Sequence, residues 1–154
     1  MKTVNKSNLI ISILIPLAVG SLSSLLSGNM TKYASLNQPF ISPPGLLFPI
    51  VWTVLYILMG ISSYLIYASD HPDRKNALKT YGLQLAFNFF WSILFFGASQ
   101  YFLAFIWLAV MIILIAVMIY QFYRINPLAA YLQIPYLLWC LFAAVLNFMV
   151  YQLN

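Results

Sequence analysis

Apolar residues occur along the chain in long, unbroken runs, and a few charged residues divide these runs into segments. A charged side chain at the centre of a bilayer costs roughly 2.5–3.5 kcal/mol, so the charges mark positions where the chain does not cross a membrane. The charge-free stretches are 7–31, 33–69, 80–123 and 125–154. Because one crossing needs about 20 apolar residues, each stretch is long enough for at least one membrane-spanning helix.

Turn-forming residues divide the two longer stretches further. The second begins with prolines at 39, 43, 44 and 49, which are typical of a loop and a helix start. The third has Gly97-Ala98-Ser99-Gln100 at its centre, which predicts two helices joined by a tight turn. We therefore predict an all-α membrane protein in which residues 1–154 form one domain. Its five transmembrane helices are expected near 8–27, 46–68, 77–98, 101–123 and 128–151, with a loop at 28–45.

Two other interpretations of the apolar runs fit the sequence less well. Strands of a transmembrane barrel alternate polar and apolar residues, whereas segments such as 112–115 are apolar throughout. The N-terminal segment has the basic start, apolar run and small residues of a secretory signal. However, Pro16, Gly20, Ser24 and Gly28 recur every four residues, and such a small-residue stripe allows a neighbouring helix to approach closely. We therefore expect this segment to remain as the first helix.

Composition and charge support a membrane location. The chain is 64% hydrophobic and 6% charged, whereas about a quarter of the residues of a soluble domain are charged. With five spans, six basic residues lie on one side of the membrane: Lys2, Lys6, Arg74, Lys75, Lys79 and Arg124. The other side has only Lys32. This asymmetry predicts a cytoplasmic N-terminus and an external C-terminus, in what we expect to be a bacterial plasma membrane. The cations are not clustered on a soluble element, so we expect no nucleic-acid partner.

The predicted spans lack the residues that many membrane mechanisms require. Apart from Lys79 in the first turn of the third helix, they contain no Asp, Glu, Lys, Arg or His. Ion-coupled pumps usually need an ionisable group inside the membrane, and metal, haem and hydrolase sites need ligand clusters or a triad. His71 lies in a loop, and Cys140 is the single cysteine. We expect no metal site and no cofactor.

Three predicted helices each have a face of aromatic, small and amide residues at helical spacing. These faces are Pro49, Trp52, Tyr56, Gly60, Ser63 and Tyr67; Gln84, Asn88, Trp91 and Phe95; and Trp139, Ala143, Asn147 and Val150. Such faces suit either helix packing, with amides hydrogen-bonded between helices, or a pocket for a flat apolar ligand. Trp52 and Trp139 differ from the aromatic residues near the predicted helix ends, because each lies about a turn or more inside its helix rather than at the membrane interface.

Two features raise the question of a second subunit. The fourth helix has no amide before Gln121, and we expect it to face lipid or another protomer. Gly82 and Ala86 form a further pair of small residues on the third helix. This pair suits either a dimer contact or packing within the chain, and we expect packing within the chain.

Four segments carry a resemblance to a known family. Residues 43–60 read PPGLLFPIVWTVLYILMG, 33–39 read YASLNQP, 84–100 read QLAFNFFWSILFFGASQ and 139–147 read WCLFAAVLN. In order and spacing these segments resemble the tryptophan-rich sensory protein/translocator protein family, also called peripheral-type benzodiazepine receptors. The resemblance extends from the first loop to the C-terminus.

The resemblance implies a five-helix bundle, commonly a homodimer, with a ligand cavity covered by the loop between the first two helices. Family ligands are porphyrins and other tetrapyrroles, sterols and synthetic aromatic drugs. The residues that match the family's cavity are Tyr33, Pro43, Pro44, Phe48, Trp52, Tyr56, Asn88, Phe90, Trp91, Trp139, Ala143 and Leu146. The favoured hypothesis is a membrane receptor in which a porphyrin stacks on Trp52, Trp139 and Phe90, with a propionate near Lys32.

Two further functions are kept as alternatives. The resemblance implies one of them, light- and oxygen-dependent porphyrin breakdown, with Trp52 and Trp139 as the catalytic residues. The other, from a different class, is facilitated transport of tetrapyrroles or small hydrophobic molecules, or a structural role in organising partners. The chain also departs from the family at Gln38, Ile41 and Leu46. No basic residue follows Tyr151, so a sterol-binding pattern that needs one is incomplete at the C-terminus.

Overall fold

The computed structural model describes residues 3–28 and 31–154, without the side chains of Thr31 and Lys32. All regular structure in these residues is helical. The helices are α1 (Lys6–Ser27), α2 (Thr31–Ala34), α3 (Leu47–Tyr67), α4 (Arg74–Ser92), α5 (Tyr101–Ile125), α6 (Pro127–Leu132) and α7 (Ile134–Leu153). A π-helical turn, Ile93–Gly97, continues α4.

Four segments of the described chain are long and apolar enough to cross a bilayer. They are α1, α3, α5 and the α6–α7 segment Pro127–Leu153, with mean hydropathies of 2.3, 1.8, 3.1 and 1.8. The chain is therefore an integral membrane protein of the all-helical class. The helix α4 is not among the four, because its first two turns contain Arg74, Lys75 and Lys79.

The observed helices differ from the predicted ones at three places. The third predicted helix begins at Arg74 rather than at 77 and ends in the π-helical turn. The last is divided into α6 and α7 at Gln133, because Pro135 has no N–H to continue the backbone hydrogen bonds. The loop expected at 28–45 contains the single helical turn α2.

Glycines allow α1 and α3 to pack closely. A Cβ atom at Gly60 would overlap the backbone of Ile13 and lie 2.8 Å from the carbonyl oxygen of Ser12. On the other helix, Gly20 lies against the ring of Tyr56. The closest backbone approach is therefore between Gly60 and the first half of α1, and Gly20 of the small-residue stripe makes room for the Tyr56 ring.

The outer surfaces of α4 and α5 are apolar and exposed. One face of α5 is buried against α4 and α7, and the other face, with Ile106, Val110 and Ile113, is exposed. The expectation that this helix faces lipid or a second subunit therefore applies to one face only. Gly82 and Ala86 are exposed, and a Cβ at Gly82 would have no neighbour within 4 Å. The prediction that this pair packs within the chain is wrong, because none of the described helices lies against this face.

Hydrogen bonds between distant residues tie the two ends of the bundle. At one end, the backbone N–H of Asn5 donates to Tyr64 Oη at 2.9 Å. At the other end, Asn154 Nδ2 donates to the carbonyl oxygen of Asn37 at 2.9 Å, and the N–H of Asn37 donates to Asn154 Oδ1 at 3.2 Å. The described residues around Asn37 therefore lie at the same end as the last turn of α7.

Candidate functional site

A cavity of about 570 Å³ lies in the half of the bundle nearest to segment 28–46. This volume is within the range of roughly 300–1,000 Å³ found for small-molecule sites. Residues of α1, α2, α3, α4 with its π-helical turn, and α7 line it, whereas α5 and α6 contribute none of the described lining residues. The cavity is therefore enclosed by helices that are far apart in sequence.

Aromatic rings form most of the wall opposite α1. Trp52 stacks on Tyr56, with ring centroids 5.5 Å apart and an interplanar angle of 27°, and its centroid lies 6.5 Å from that of Trp91. Phe95 and Phe96 both line the cavity although they are adjacent in sequence. Both lie in the π-helical turn, a local change of helical register that often occurs at functional sites.

The four tryptophans differ in the hydrogen bonding of the indole N–H. Trp91 Nε1 donates to Asn147 Oδ1 at 3.1 Å, and Trp107 Nε1 donates to the carbonyl oxygen of Phe87 at 2.8 Å. In contrast, Trp139 Nε1 is buried with no partner among the described residues. Trp52 Nε1 also donates to no residue in the described part of the chain. Both residues line the cavity, and the buried Trp139 N–H is a donor that the described residues leave without an acceptor.

The floor of the cavity is a buried network of tyrosines and amides. Tyr56 Oη donates to Asn88 Oδ1 at 3.1 Å, and Asn88 Nδ2 donates to Tyr136 Oη at 2.9 Å. Tyr136 Oη donates in turn to Gln84 Oε1 at 2.7 Å. The network fixes the Asn88 amide through both of its polar atoms. The Asn88 amide is therefore held in place by hydrogen bonds to Tyr56 and Tyr136 within the protein.

Tyr33 anchors the segment that covers the cavity. Its side chain is 3% exposed, and its ring lies 5.7 Å from that of Phe48 and 5.8 Å from that of Phe96, measured between centroids. Its hydroxyl forms a hydrogen bond of 2.7 Å with Ser42 Oγ. Burial raises the pKa of the Tyr33 phenol, and the Ser42 hydrogen bond partly offsets this rise. The phenol therefore stays neutral near pH 7.

One face of α1 forms the remaining wall. Its lining residues are Leu17, Gly20, Ser21, Ser23, Ser24, Leu25, Ser27 and the following Gly28. Ser21, Ser24 and Leu25 are exposed, as are Pro49 and Thr53 of α3 that line the cavity opposite them. The cavity therefore opens at the side of the bundle, between the second half of α1 and the first half of α3.

The structure brings together most of the residues that the sequence predicted for the cavity. The lining includes Tyr33, Phe48, Trp52, Tyr56, Asn88, Trp91, Trp139, Ala143 and Leu146. That they bind a ligand stays a prediction.

Three predicted cavity residues do not line it. Phe90 is 49% exposed and packs on Phe89 and Trp107, with ring centroids 5.1 and 6.3 Å away. Phe90 is two residues after Asn88 and one before Trp91, so on a helix it lies on the outer face of α4. A porphyrin in this cavity therefore cannot stack on it. Pro43 and Pro44 belong to the covering segment without lining the cavity. The Lys32 side chain, predicted to hold a propionate, lies outside the described residues.

Sequence reasoning missed the wall formed by α1. We attributed its small residues to helix packing, and only part of the stripe has that role. Ser23 Oγ donates to the carbonyl oxygen of Phe89 at 2.6 Å, and Ser27 Oγ lies 3.1 Å from Ser92 Oγ. All four serines line the cavity, but Ser21 and Ser24 make no such hydrogen bond within the described chain. The helical spacing of four serines within seven residues was the signal that could have revealed two faces.

Comparisons with known proteins agree with this architecture. A family model described as the TspO/MBR family matches residues 12–153. Tryptophan-rich protein TspO of Archaeoglobus fulgidus is 37% identical over 152 residues, covering 97% of this chain and 99% of that protein. Translocator protein of Sus scrofa is 38% identical over 146 residues, covering 92% and 86%. Tryptophan-rich sensory protein of Cereibacter sphaeroides is 35% identical over 122 residues, covering 79% and 76%. The resemblance is confirmed, and the chain belongs to the TspO/MBR family.

Proposed function

We propose that this protein is a membrane receptor that binds porphyrins, other tetrapyrroles and similar flat hydrophobic molecules in the cavity. The observation that carries the proposal is the pair of cavity tryptophans, Trp52 and Trp139, whose indole N–H groups have no acceptor among the described residues. The Trp139 N–H is in addition buried, and a buried donor without a partner is unfavourable. A ligand with an acceptor in its ring system removes that cost.

The shape and chemistry of the cavity support a flat aromatic ligand. Rings line it on several sides, and stacking on each contributes about 0.5–1.5 kcal/mol beyond the burial of apolar area. Gly20 and Ala143 lie among the lining residues and leave room between the rings. Few donors and a largely apolar lining are typical of sites in which polar groups orient the ligand and apolar contacts hold it.

We propose five membrane spans, with α4 and its π-helical turn as the third. Its polar first turns then lie at the membrane surface, where basic side chains can reach the interface. The excess of basic residues at that end supports a cytoplasmic N-terminus and an external C-terminus in a bacterial plasma membrane. The apolar outer faces of α4 and α5 contact lipid or, in a homodimer, the second protomer.

Titration of the purified protein with protoporphyrin in the dark, followed by quenching of tryptophan fluorescence, tests the receptor. We expect saturable binding that Trp52→Phe and Trp139→Phe weaken by about three- to tenfold, because each loses an indole N–H and part of a stacking surface. The matched control is Trp107→Phe, whose indole lies outside the cavity. Non-saturable quenching, or equal weakening by the control, would show that the cavity is not the site.

The same two tryptophans favour a second candidate function, the breakdown of bound porphyrin under light and oxygen. An excited porphyrin next to an indole can accept an electron from it, and neither Trp52 nor Trp139 donates a hydrogen bond within the described chain. The test is loss of porphyrin absorbance under illumination in air, with darkness and an argon atmosphere as controls. Unchanged loss in both Trp→Phe variants would exclude indole chemistry.

A facilitated transporter is the remaining alternative. The buried, hydrogen-bonded network of Tyr56, Asn88, Tyr136 and Gln84 at the cavity floor favours a receptor over a continuous passage. Porphyrin flux into protein-containing liposomes decides between the two. Saturable binding without flux supports the receptor, and flux that requires the protein supports transport.

A further inference from the structure

The two walls of the cavity have different chemistry. The wall formed by α3, α4 and α7 is aromatic, whereas the wall formed by α1 has serines at positions 21, 23, 24 and 27. Aromatic rings favour the apolar faces of a ligand, and hydroxyls favour its polar edge. A bound molecule with one polar edge therefore has one preferred orientation.

The serine hydroxyls fall into two pairs with different roles. Ser23 and Ser27 are buried and donate within the protein, to the carbonyl oxygens of Phe89 and Ser23 respectively, each at 2.6 Å. Ser21 and Ser24 are exposed, and their hydroxyls have no hydrogen-bond partner in the described part of the chain. Three residues apart on a helix, their Cβ atoms are about 5–6 Å from each other. Both serines line the cavity and are exposed, so they lie on the side of α1 where the cavity opens.

The position of this pair suits an ionised group. None of the described residues that line the cavity is charged, so a carboxylate deep inside would have no counter-ion. Ser24 and Ser21 lie about one and two turns before the end of α1 at Ser27, which brings them near the membrane surface. There a carboxylate remains partly hydrated while it accepts a charge-assisted hydrogen bond.

We infer that Ser21 and Ser24 form a subsite for the carboxylates of the ligand and determine its orientation. The inference rests on the proposed receptor function and narrows the class of ligand. The ligand is then a flat aromatic molecule with carboxylates on one edge. The carboxylates lie against α1 at the lateral opening, and the opposite edge lies among Phe48, Phe95 and Phe96.

Protoporphyrin and its dimethyl ester test the subsite, because they share the ring and differ in the charge of one edge. Both are titrated in darkness against the wild-type protein and the double variant Ser21→Ala/Ser24→Ala. We expect the double variant to bind protoporphyrin about tenfold more weakly and the ester with little change. Ser7→Ala, an exposed α1 serine outside the cavity, is the matched control.

The ester also reports whether the double variant is folded, since it binds the same cavity. Equal affinity of both proteins for protoporphyrin would overturn the subsite and leave the receptor intact. Equal weakening of both ligands would overturn it too, because the serines would then act through shape rather than through the carboxylates. If the wild-type protein binds neither ligand, the receptor function itself is wrong.

Discussion

At the scale of single residues, the tryptophans illustrate how one residue type takes different roles. The indole of Trp91 is buried and donates to Asn147, whose Nδ2 donates in turn to the carbonyl oxygen of Tyr101 at 2.8 Å. Trp91 therefore connects α4, α7 and the start of α5. Among the described residues, Trp52 has ring contacts with Tyr56, Trp91 and Tyr136, and its N–H donates to none of them. The hydrogen bonding of the indole N–H therefore distinguishes Trp91, which connects helices, from Trp52, whereas the spacing of the two residues in the sequence does not.

Substitution of these two residues by Phe should affect different properties. We expect Trp91→Phe to lower the free energy of unfolding by about 1–2 kcal/mol, because it leaves Asn147 Oδ1 buried without its donor. Trp52→Phe removes no hydrogen bond within the described chain and keeps an aromatic ring against Tyr56, so it should cost less than Trp91→Phe, at most about 1 kcal/mol. Thermal unfolding in detergent measures both. A more stable Trp91→Phe protein would contradict the structural role.

At the scale of elements, the contact between α1 and α3 sets the shape of the cavity. Gly20 lies against the ring of Tyr56, and Tyr56 stacks on Trp52. The helix α1 therefore supports the aromatic wall and provides the serine wall at the same time. Any displacement of α1 from α3 widens the lateral opening and releases the Tyr56 ring.

Two glycine substitutions test the importance of this contact. Gly60→Ala places a Cβ against the backbone of Ile13, which cannot move without the whole helix, and should cost about 1–3 kcal/mol of stability. Gly82→Ala is the control, since it is exposed within α4 with nothing near its Cβ. We expect it to stabilise the helix by about 0.5–1 kcal/mol. Equal effects of the two substitutions on the unfolding temperature would contradict the close approach.

At the scale of the whole molecule, much of the architecture was predictable from the sequence. Charges and prolines predicted the long helices, and the family resemblance together with the spacing of Trp52, Asn88 and Trp139 predicted most of the cavity lining. The prediction that Phe90 lines the cavity was wrong, because the resemblance does not specify which side of α4 a residue occupies. The α1 wall was missed because Gly and Ser serve equally in packing and in lining. The break between α6 and α7 at Gln133 depends on Pro135. Proline is tolerated in the first turn of a helix, so its position in the sequence does not show whether one helix is kinked or a new helix begins.

The orientation of the whole molecule is accessible to cysteine labelling. Cys140 is fully buried, so the unmodified protein should react little with a membrane-impermeant maleimide. Phe40 is 93% exposed in the covering segment, and Pro72 is exposed in the loop between α3 and α4. We expect Phe40→Cys to label in intact cells and Pro72→Cys only after permeabilisation. The reverse pattern would place the N-terminus outside.

The most direct test of the account is to fill the cavity and titrate the filled protein with protoporphyrin. Ala143 lines the cavity, so Ala143→Phe should occupy the space of the ligand while the bundle still unfolds cooperatively. The control is Ala116→Phe, on the exposed face of α5. The account predicts at least about tenfold weaker binding for Ala143→Phe and unchanged binding for the control. Wild-type affinity in a folded Ala143→Phe protein would contradict the cavity as the ligand site.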